Sequence, residues 1–293
     1  MNRRQFLLAT AGSFAAAQSF AKKSKLKLAF STLGCPDWSY QQIIENAAKW
    51  DYSAIELRGL GKEIDLLKCP EFSTQTKETL QRTKDKGLKI INLGSSANLH
   101  IHEAAKRTEQ LDHAQRYIDL AAQLECPYIR VFPNNLPKEY TKEATLEKIA
   151  SGLVELTDYA KNIPVKILLE THGDVVRTDD LVWIMKQVDT RKIRLIWDYF
   201  NMFVVTKQPP KEMYAALKPY IEHVHMKDGV IGADGKFNYV YAGEGNGPIN
   251  EALAILRKDN YSGYYSFEWE KRWHPEIADP ELAFPKYVEY MKK

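Results

Sequence analysis

From Leu26 onward the chain alternates between two hydrophobic rhythms. Short runs rich in β-branched and aromatic residues are separated by longer stretches whose apolar positions recur about every 3.6 residues. The strand-like runs are Leu26–Thr32, Ala54–Arg58, Lys89–Ser95, Tyr128–Phe132, Val165–Glu170, Ile193–Asp198, Ile221–Met226 and Tyr264–Glu268. Helical spacing covers Tyr40–Trp50, which turns Ile43, Ile44, Ala47 and Ala48 inward. It also covers Ala104–Leu124, with Leu111, Ala114, Ile118, Ala121 and Ala122 on one face. It recurs near Thr74–Lys86, Lys142–Lys161, Thr178–Val188, Pro210–Leu217, Ile249–Lys258 and Asp279–Met291.

Eight β-then-α units at a spacing of roughly 25 to 40 residues imply parallel strands joined by helical crossovers. That count predicts an α/β fold, the closed (β/α)₈ TIM barrel. An open doubly wound sheet is the alternative. It usually carries a Gly-rich turn after its first strand, whereas here the first run ends Ser31-Thr32-Leu33-Gly34-Cys35, without G-x-G-x-x-G spacing. A nicotinamide-dependent enzyme is therefore disfavoured. No Pro/Gly/Ser-rich linker divides the chain, so residues 22–293 are expected to form one domain.

Residues 1–21 follow another pattern. Arg3-Arg4-Gln5-Phe6-Leu7 leads into an Ala-rich apolar stretch that ends in the small-x-small triplet Ser19-Phe20-Ala21. This is the layout of an export signal, and the paired arginines make it twin-arginine-type. The apolar stretch is too short to span a bilayer. The mature protein is expected to be soluble and periplasmic or otherwise exported, with no stable membrane anchor. With 44% hydrophobic and 27% charged residues, the composition excludes collagen, low-complexity disorder and a disulfide mini-protein. The formal net charge of +3 falls by two once Arg3 and Arg4 leave with the signal, which provides no footprint for nucleic acid. Cys35, Cys69 and Cys126 are an odd set without CxxC spacing, so at most one disulfide can form within the chain.

Barrel strands are largely apolar, and a barrel's chemistry sits at their C-terminal ends. Four runs end in groups able to bind a metal: Ile167-Leu168-Leu169-Glu170-Thr171-His172, Arg194-Leu195-Ile196-Trp197-Asp198, His223-Val224-His225-Met226-Lys227-Asp228 and Tyr265-Ser266-Phe267-Glu268-Trp269-Glu270. An unpaired carboxylate there would cost several kcal/mol of desolvation or take up a proton. Three converging carboxylates would also repel one another. One divalent cation held by Glu170, Asp198, His225 and Glu268 removes both penalties; ion pairs with nearby Arg or Lys are the alternative. Three carboxylates and an imidazole favour Mn²⁺, Mg²⁺, Co²⁺ or Zn²⁺ over Cu⁺. Strand alternation places His223 deeper than His225, as a hydrogen-bonded core residue, and Glu270 further out, at the rim. His172 is the candidate extra acid/base. Lys227 is a candidate for holding a substrate oxygen, or else a rim salt bridge to Asp228. Glu56 and Arg58 share a parity, which suggests a pair at the mouth. They and Arg130 are candidate substrate-binding residues. His100 and His102 are candidates for the entrance. Trp38, Trp197, Trp269 and Trp273 are aromatic faces available for stacking or for packing.

At these residues the chain resembles the sugar phosphate isomerase/epimerase superfamily, the xylose isomerase-like TIM barrel. Ala54-Ile55-Glu56-Leu57-Arg58 resembles its second-strand motif, and Leu169-Glu170-Thr171-His172 its strand-five glutamate. Trp197-Asp198-Tyr199-Phe200-Asn201 is similar to the strand-six D-x-x-H motif. His223 to Asp228, the Gly243-Glu244-Gly245 loop, and Gly263 to Glu268 match the remaining motifs in order. The resemblance implies one divalent ion on Glu170, Asp198, His225 and Glu268. It also implies proton removal next to a sugar carbonyl, through a metal-stabilised enediolate, with Glu170 or Glu268 as base. The implied activity is a sugar or keto-sugar isomerase or epimerase. A keto-glycoside lyase or dehydratase on the same site, or a non-catalytic carbohydrate-binding barrel, are the alternatives. Asn201 stands where ketose 3-epimerases usually carry His. It can bind a substrate hydroxyl but cannot shuttle a proton.

Overall fold

The computed structural model describes residues 26–293; the export signal expected over residues 1–21 lies outside them. Ten strands run in chain order: β1 Lys27–Ser31, β2 Ala54–Leu57, β3 Lys89–Asn98, β4 Tyr128–Phe132, β5 Lys166–Glu170, β6 Ile193–Asp198, β7 Ile221–Met226, β8 Asp228–Ile231, β9 Phe237–Val240 and β10 Tyr264–Phe267. Eight of them close a barrel in the order β1-β10-β7-β6-β5-β4-β3-β2, every pair parallel. The expected TIM barrel is therefore present. Ten helices decorate it: α1 Tyr40–Lys49, α2 Pro70–Ser73, α3 Thr76–Asp85, α4 Ala104–Gln123, α5 Lys142–Tyr159, α6 Thr178–Lys186, α7 Tyr199–Thr206, α8 Pro210–Leu217, α9 Ile249–Lys258 and α10 Pro280–Lys292.

Local chemistry sets the element ends. Ser39 starts α1 with a reciprocal capping box to Gln42, satisfying two otherwise orphaned donors. Pro70, Pro210 and Pro280 occupy first turns, where a missing N–H costs nothing. The outward faces of the strands and the inward faces of the helices form one continuous apolar layer. Inside the barrel the floor is small: Ala29, Ala54 and Ile91 pack together beneath Tyr264. Above that floor the lumen turns polar, with Glu56, Arg130, Glu170, Asp198, His223, His225 and Glu268 all buried.

Four segments depart from the expected layout. The strand-like run at Ala54 stops at Leu57, one residue before Arg58, while β3 continues past Ser95 to Asn98. The motif Trp197-Asp198-Tyr199-Phe200-Asn201 turns directly into α7, with the Asp198 side chain accepting from the Asn201 N–H as its cap. After β7 the chain does not go straight to α9. It first makes the antiparallel hairpin β8–β9, turning at Asp234-Gly235 with Gly235 at φ 81°. Cys35, Cys69 and Cys126 are all free and buried.

Candidate active site

The polar lumen is built from strand ends that lie far apart in sequence. Asp198 and His225 are register partners across β6 and β7, and His225 and Ser266 across β7 and β10. Glu170 ends the neighbouring β5. The structure thus gathers Glu170, Asp198, His225 and Glu268, each offering one donor atom, with all four atoms within 4.8 Å of one another. His225 Nδ1 faces Glu268 Oε2 at 3.3 Å, Glu170 Oε1 at 3.5 Å and Asp198 Oδ2 at 3.9 Å.

One atom tests whether a cation fits. His225 Nδ1 is buried without a hydrogen-bond partner of acceptable geometry, whereas Asp198 Oδ2 is met by the Lys227 ammonium at 2.7 Å. Buried polar atoms are rarely left without a partner, and His225 Nδ1 points into the carboxylate set. The charge balance gives the same answer. Glu56, Glu170, Asp198, Glu268 and Glu270 face three fixed cations, Arg58, Arg130 and Lys227. With neutral imidazoles the carboxylates exceed the cations by two, which a divalent ion offsets. Without an ion the protein groups meet the imbalance with protons: against burial, Glu268 and Glu56 raise the His225 imidazole well above its usual range, and burial, aided by Glu268 and Glu170, pushes Asp198 up to about 7 against the pull of Lys227. Three oxygens and one imidazole nitrogen are a donor set for Mn²⁺, Mg²⁺, Co²⁺ or Zn²⁺.

Each glutamate of the set also has a cationic neighbour. Arg130 Nη1 donates to Glu170 at 2.8 Å, with both side chains buried, and its guanidinium lies 3.9 Å from the centre of the Phe132 ring. Burial opposes the charge on Glu170, but Arg130 outweighs it and holds the group at about 2. The Lys227 ammonium sits 2.7 Å from Asp198, 2.7 Å from Glu268 and 2.9 Å from Glu270. Lys227 therefore belongs to the cluster and does not make the rim pair with Asp228. The Asp228 carboxylate accepts instead from the N–H groups of Gly229, Gly243 and Gly245. A Cβ on Gly245 would stand 2.4 Å from the Asp228 carboxylate, which explains the glycines of the Gly243-Glu244-Gly245 loop.

The remaining candidates separate clearly. Glu56 and Arg58 do not pair. Glu56 lies under the cluster, bonded to His223, His225 and Ser266. The Arg58 guanidinium makes a 3.5 Å contact with the Ile64 carbonyl and is pushed down to about 9 by burial and by Arg130. Asn201 is half-buried on the first turn of α7, beside Asp198. His172 Nδ1 lies 2.8 Å from Asn134 Oδ1. Asn134 donates in turn to Asn98, and Asn98 to the Ser96 carbonyl at 2.9 Å. This chain of amides makes Nδ1 the protonated nitrogen of His172 and leaves Nε2 as the acceptor. Burial, with Arg130 and Lys227 adding to it, keeps the imidazole below its usual range. His102 is packed away, stacked on Tyr140 with ring centres 3.6 Å apart. Trp38, Trp197 and Trp269 are buried packing residues, whereas Trp273 is 53% exposed. The hydrogen-bonding partners Asn98, Asn134, Tyr239 and Ser266 carried no sequence signal, because their role appears only once strands far apart in the chain are adjacent. A cavity of about 670 Å³ opens at the opposite end of the barrel, near Leu26, Leu28 and Met291, away from this chemistry. No described helix is long and apolar enough to cross a membrane.

Comparison with known proteins places this geometry. The family model described as xylose isomerase-like TIM barrel matches residues 44–293. A 180-residue stretch is 23% identical to fructoselysine 3-epimerase of Shigella flexneri, covering 60% of this chain and 64% of that enzyme. Among solved structures, the probable 3-DHS dehydratase AsbF of Bacillus anthracis superposes with a TM-score of 0.75 at 18% identity, over 92% of this chain and 99% of its own. A xylose isomerase-like TIM barrel protein from Mycobacterium smegmatis in complex with magnesium superposes with a TM-score of 0.68 at 18% identity, over 91% and 95%. At these identities the structural likeness is one of fold.

Proposed function

The chain belongs to the xylose isomerase-like TIM barrel family, and from that premise we propose that it is a divalent-metal-dependent isomerase or epimerase of a sugar or keto-sugar. The observation that carries the reading is the convergence of Glu170, Asp198 and Glu268 on the unpartnered Nδ1 of His225. These four residues would hold the ion, with Mn²⁺ preferred. When bound, the ion would supply Lewis acidity to a carbonyl and its neighbouring hydroxyl. The chain's own groups do the rest. Glu170 and Glu268 stand on non-adjacent strands and offer two carboxylates to one substrate carbon. One removes the proton next to the carbonyl and the other returns it, which inverts or relocates the stereocentre. His172 Nε2 accepts a hydroxyl proton, with the ring held by Asn134. Arg58, Lys227 and Asn201 supply donors to substrate oxygens. Arg130 holds Glu170 in its ionised, proton-accepting form.

The rank order of alternatives rests on Lys227. A keto-glycoside lyase needs, besides the same proton abstraction, a donor for the departing oxygen, and the Lys227 ammonium beside Glu268 is placed to be one. Product analysis separates the two: epimeric sugars for the first, an unsaturated ketone and a free alcohol for the second. The residue pattern at the N-terminus supports a protein that works outside the cytoplasm. The test is solvent exchange. The mature chain loaded with Mn²⁺ is incubated in D₂O with keto-sugars, and deuterium next to the carbonyl is followed by NMR. Deuterium incorporation by wild type, lost in Glu170→Gln, supports the enzyme. Sugar binding without exchange or product in wild type would mark a non-catalytic carbohydrate-binding barrel.

A further inference from the structure

Two motif residues have no part in the reaction described so far: Glu56 and His223. Glu56 reaches across the lumen from β2 to the far wall, where β7 and β10 lie. Its carboxylate takes His223 Nε2 at 2.9 Å on one oxygen and His225 Nε2 at 3.0 Å on the other, and Ser266 Oγ donates to it at 3.0 Å. All four side chains are at most 1% exposed. The Glu56 carboxylate is the acceptor for both imidazole nitrogens and the Ser266 hydroxyl, so each nitrogen facing it carries N–H. For His225 that places N–H on Nε2 and turns Nδ1 toward Glu170, Asp198 and Glu268, as the nitrogen open to an ion.

We propose that Glu56 is the positioning residue of the metal centre: it fixes which nitrogen of His225 is offered to the ion and, through His223, the plane in which it is offered. The inference rests on the metal reading of the four-residue site. A carboxylate behind a ligating imidazole orients the ring and makes it a stronger donor. His223 serves as the second anchor that stops the Glu56 carboxylate from rotating, which explains a histidine two positions before the ligand. Glu56 bonds His223 and His225 at 2.9 and 3.0 Å; the three also lie close enough to hold an ion of their own, but on this proposal both nitrogens carry protons directed at Glu56.

The test measures Mn²⁺ binding, not turnover. The chelator-stripped full chain is titrated by calorimetry alongside Glu56→Gln, in which the amide cannot accept from both imidazoles. The expected result is one ion per chain in wild type and an affinity about 10- to 100-fold weaker in the variant, with unchanged circular dichroism. An affinity within twofold of wild type, with only the melting temperature lowered, would make Glu56 structural and overturn the proposal. Two ions in wild type would also overturn it. Absence of any ion in wild type would overturn the metal site together with the role of Glu56. Should Glu56→Gln fail to fold, ¹⁵N-histidine NMR of wild type loaded with Mg²⁺ decides. A proton on Nε2 of His225 supports the proposal, and a proton on Nδ1 overturns it.

Discussion

Replacing Lys227 by Met removes one charge from the cluster while keeping nearly the same volume. In wild type the ammonium lies 2.7 Å from Asp198 and Glu268 and 2.9 Å from Glu270, and it is 1% exposed. Without it, the buried Asp198 and Glu268 and the half-buried Glu270 lose their shared cation. Removing one partner of a buried ion pair costs about 3–5 kcal/mol, chiefly because the remaining charge is left uncompensated. Each kcal/mol corresponds to about 2 °C in a chain somewhat above 250 residues. In chelator, Lys227→Met is therefore expected to melt about 6–10 °C below wild type. Mn²⁺ should act in the opposite sense. The oxygens of Asp198 and Glu268 are no longer shared with an ammonium, and a unit charge at about 4 Å in a medium of effective dielectric 20 is worth about 4 kcal/mol. Even a third of that raises affinity about tenfold, so saturating Mn²⁺ should close most of the gap. The assay is scanning calorimetry of both proteins with EDTA and with excess Mn²⁺. Equal melting temperatures in EDTA, or Mn²⁺ affinity no higher in the variant, would refute the account of Lys227 as a cation that shares the ion's ligands.

Four further outcomes follow from the geometry. Chelation should abolish turnover and Mn²⁺ restore it, and Glu170→Gln and Asp198→Asn should each lose bound ion when measured by plasma mass spectrometry. Asn134→Leu frees His172 from its only amide partner and should lower kcat about 10- to 100-fold with ion content unchanged; a change confined to KM would show that His172 only binds. Asp228→Asn places an amide N–H against Gly243 or Gly245 and should cost about 2–3 kcal/mol, seen as faster proteolysis of the loop around residues 241–248. Native protein should react with no thiol reagent, and unfolded protein at all three cysteines, since Cys35, Cys69 and Cys126 are buried and unpaired.

The barrel was legible because eight strand-like runs keep their apolar rhythm, and each ended within a few residues of its expected bound. The convergence of four polar side chains was legible for the opposite reason: Glu170, Asp198, His225 and Glu268 break that rhythm at equivalent positions on four strands. The role of Glu56 was not legible. Parity showed that it shares a side with Arg58, but parity cannot show which residue across the lumen it meets, and its partners lie 167 and 169 positions away. The β8–β9 hairpin escaped because its strands are four residues each, too short for a period to register. Only Asp234-Gly235 marked it. The helix after Asp198 was hidden by its own composition. Phe200, Met202, Phe203, Val204 and Val205 are apolar on every side, so no amphipathic stripe distinguishes it.

The bond from Glu56 to the two histidines joins the second barrel strand to the seventh. His225 cannot take up its final orientation until chain synthesised early has met chain synthesised late, and Glu268 arrives only with β10. On the metal reading, ion uptake would report completed folding: a nascent or nicked chain lacking either end would not bind Mn²⁺, and a loaded one would be a chain whose ring of strands has already shut.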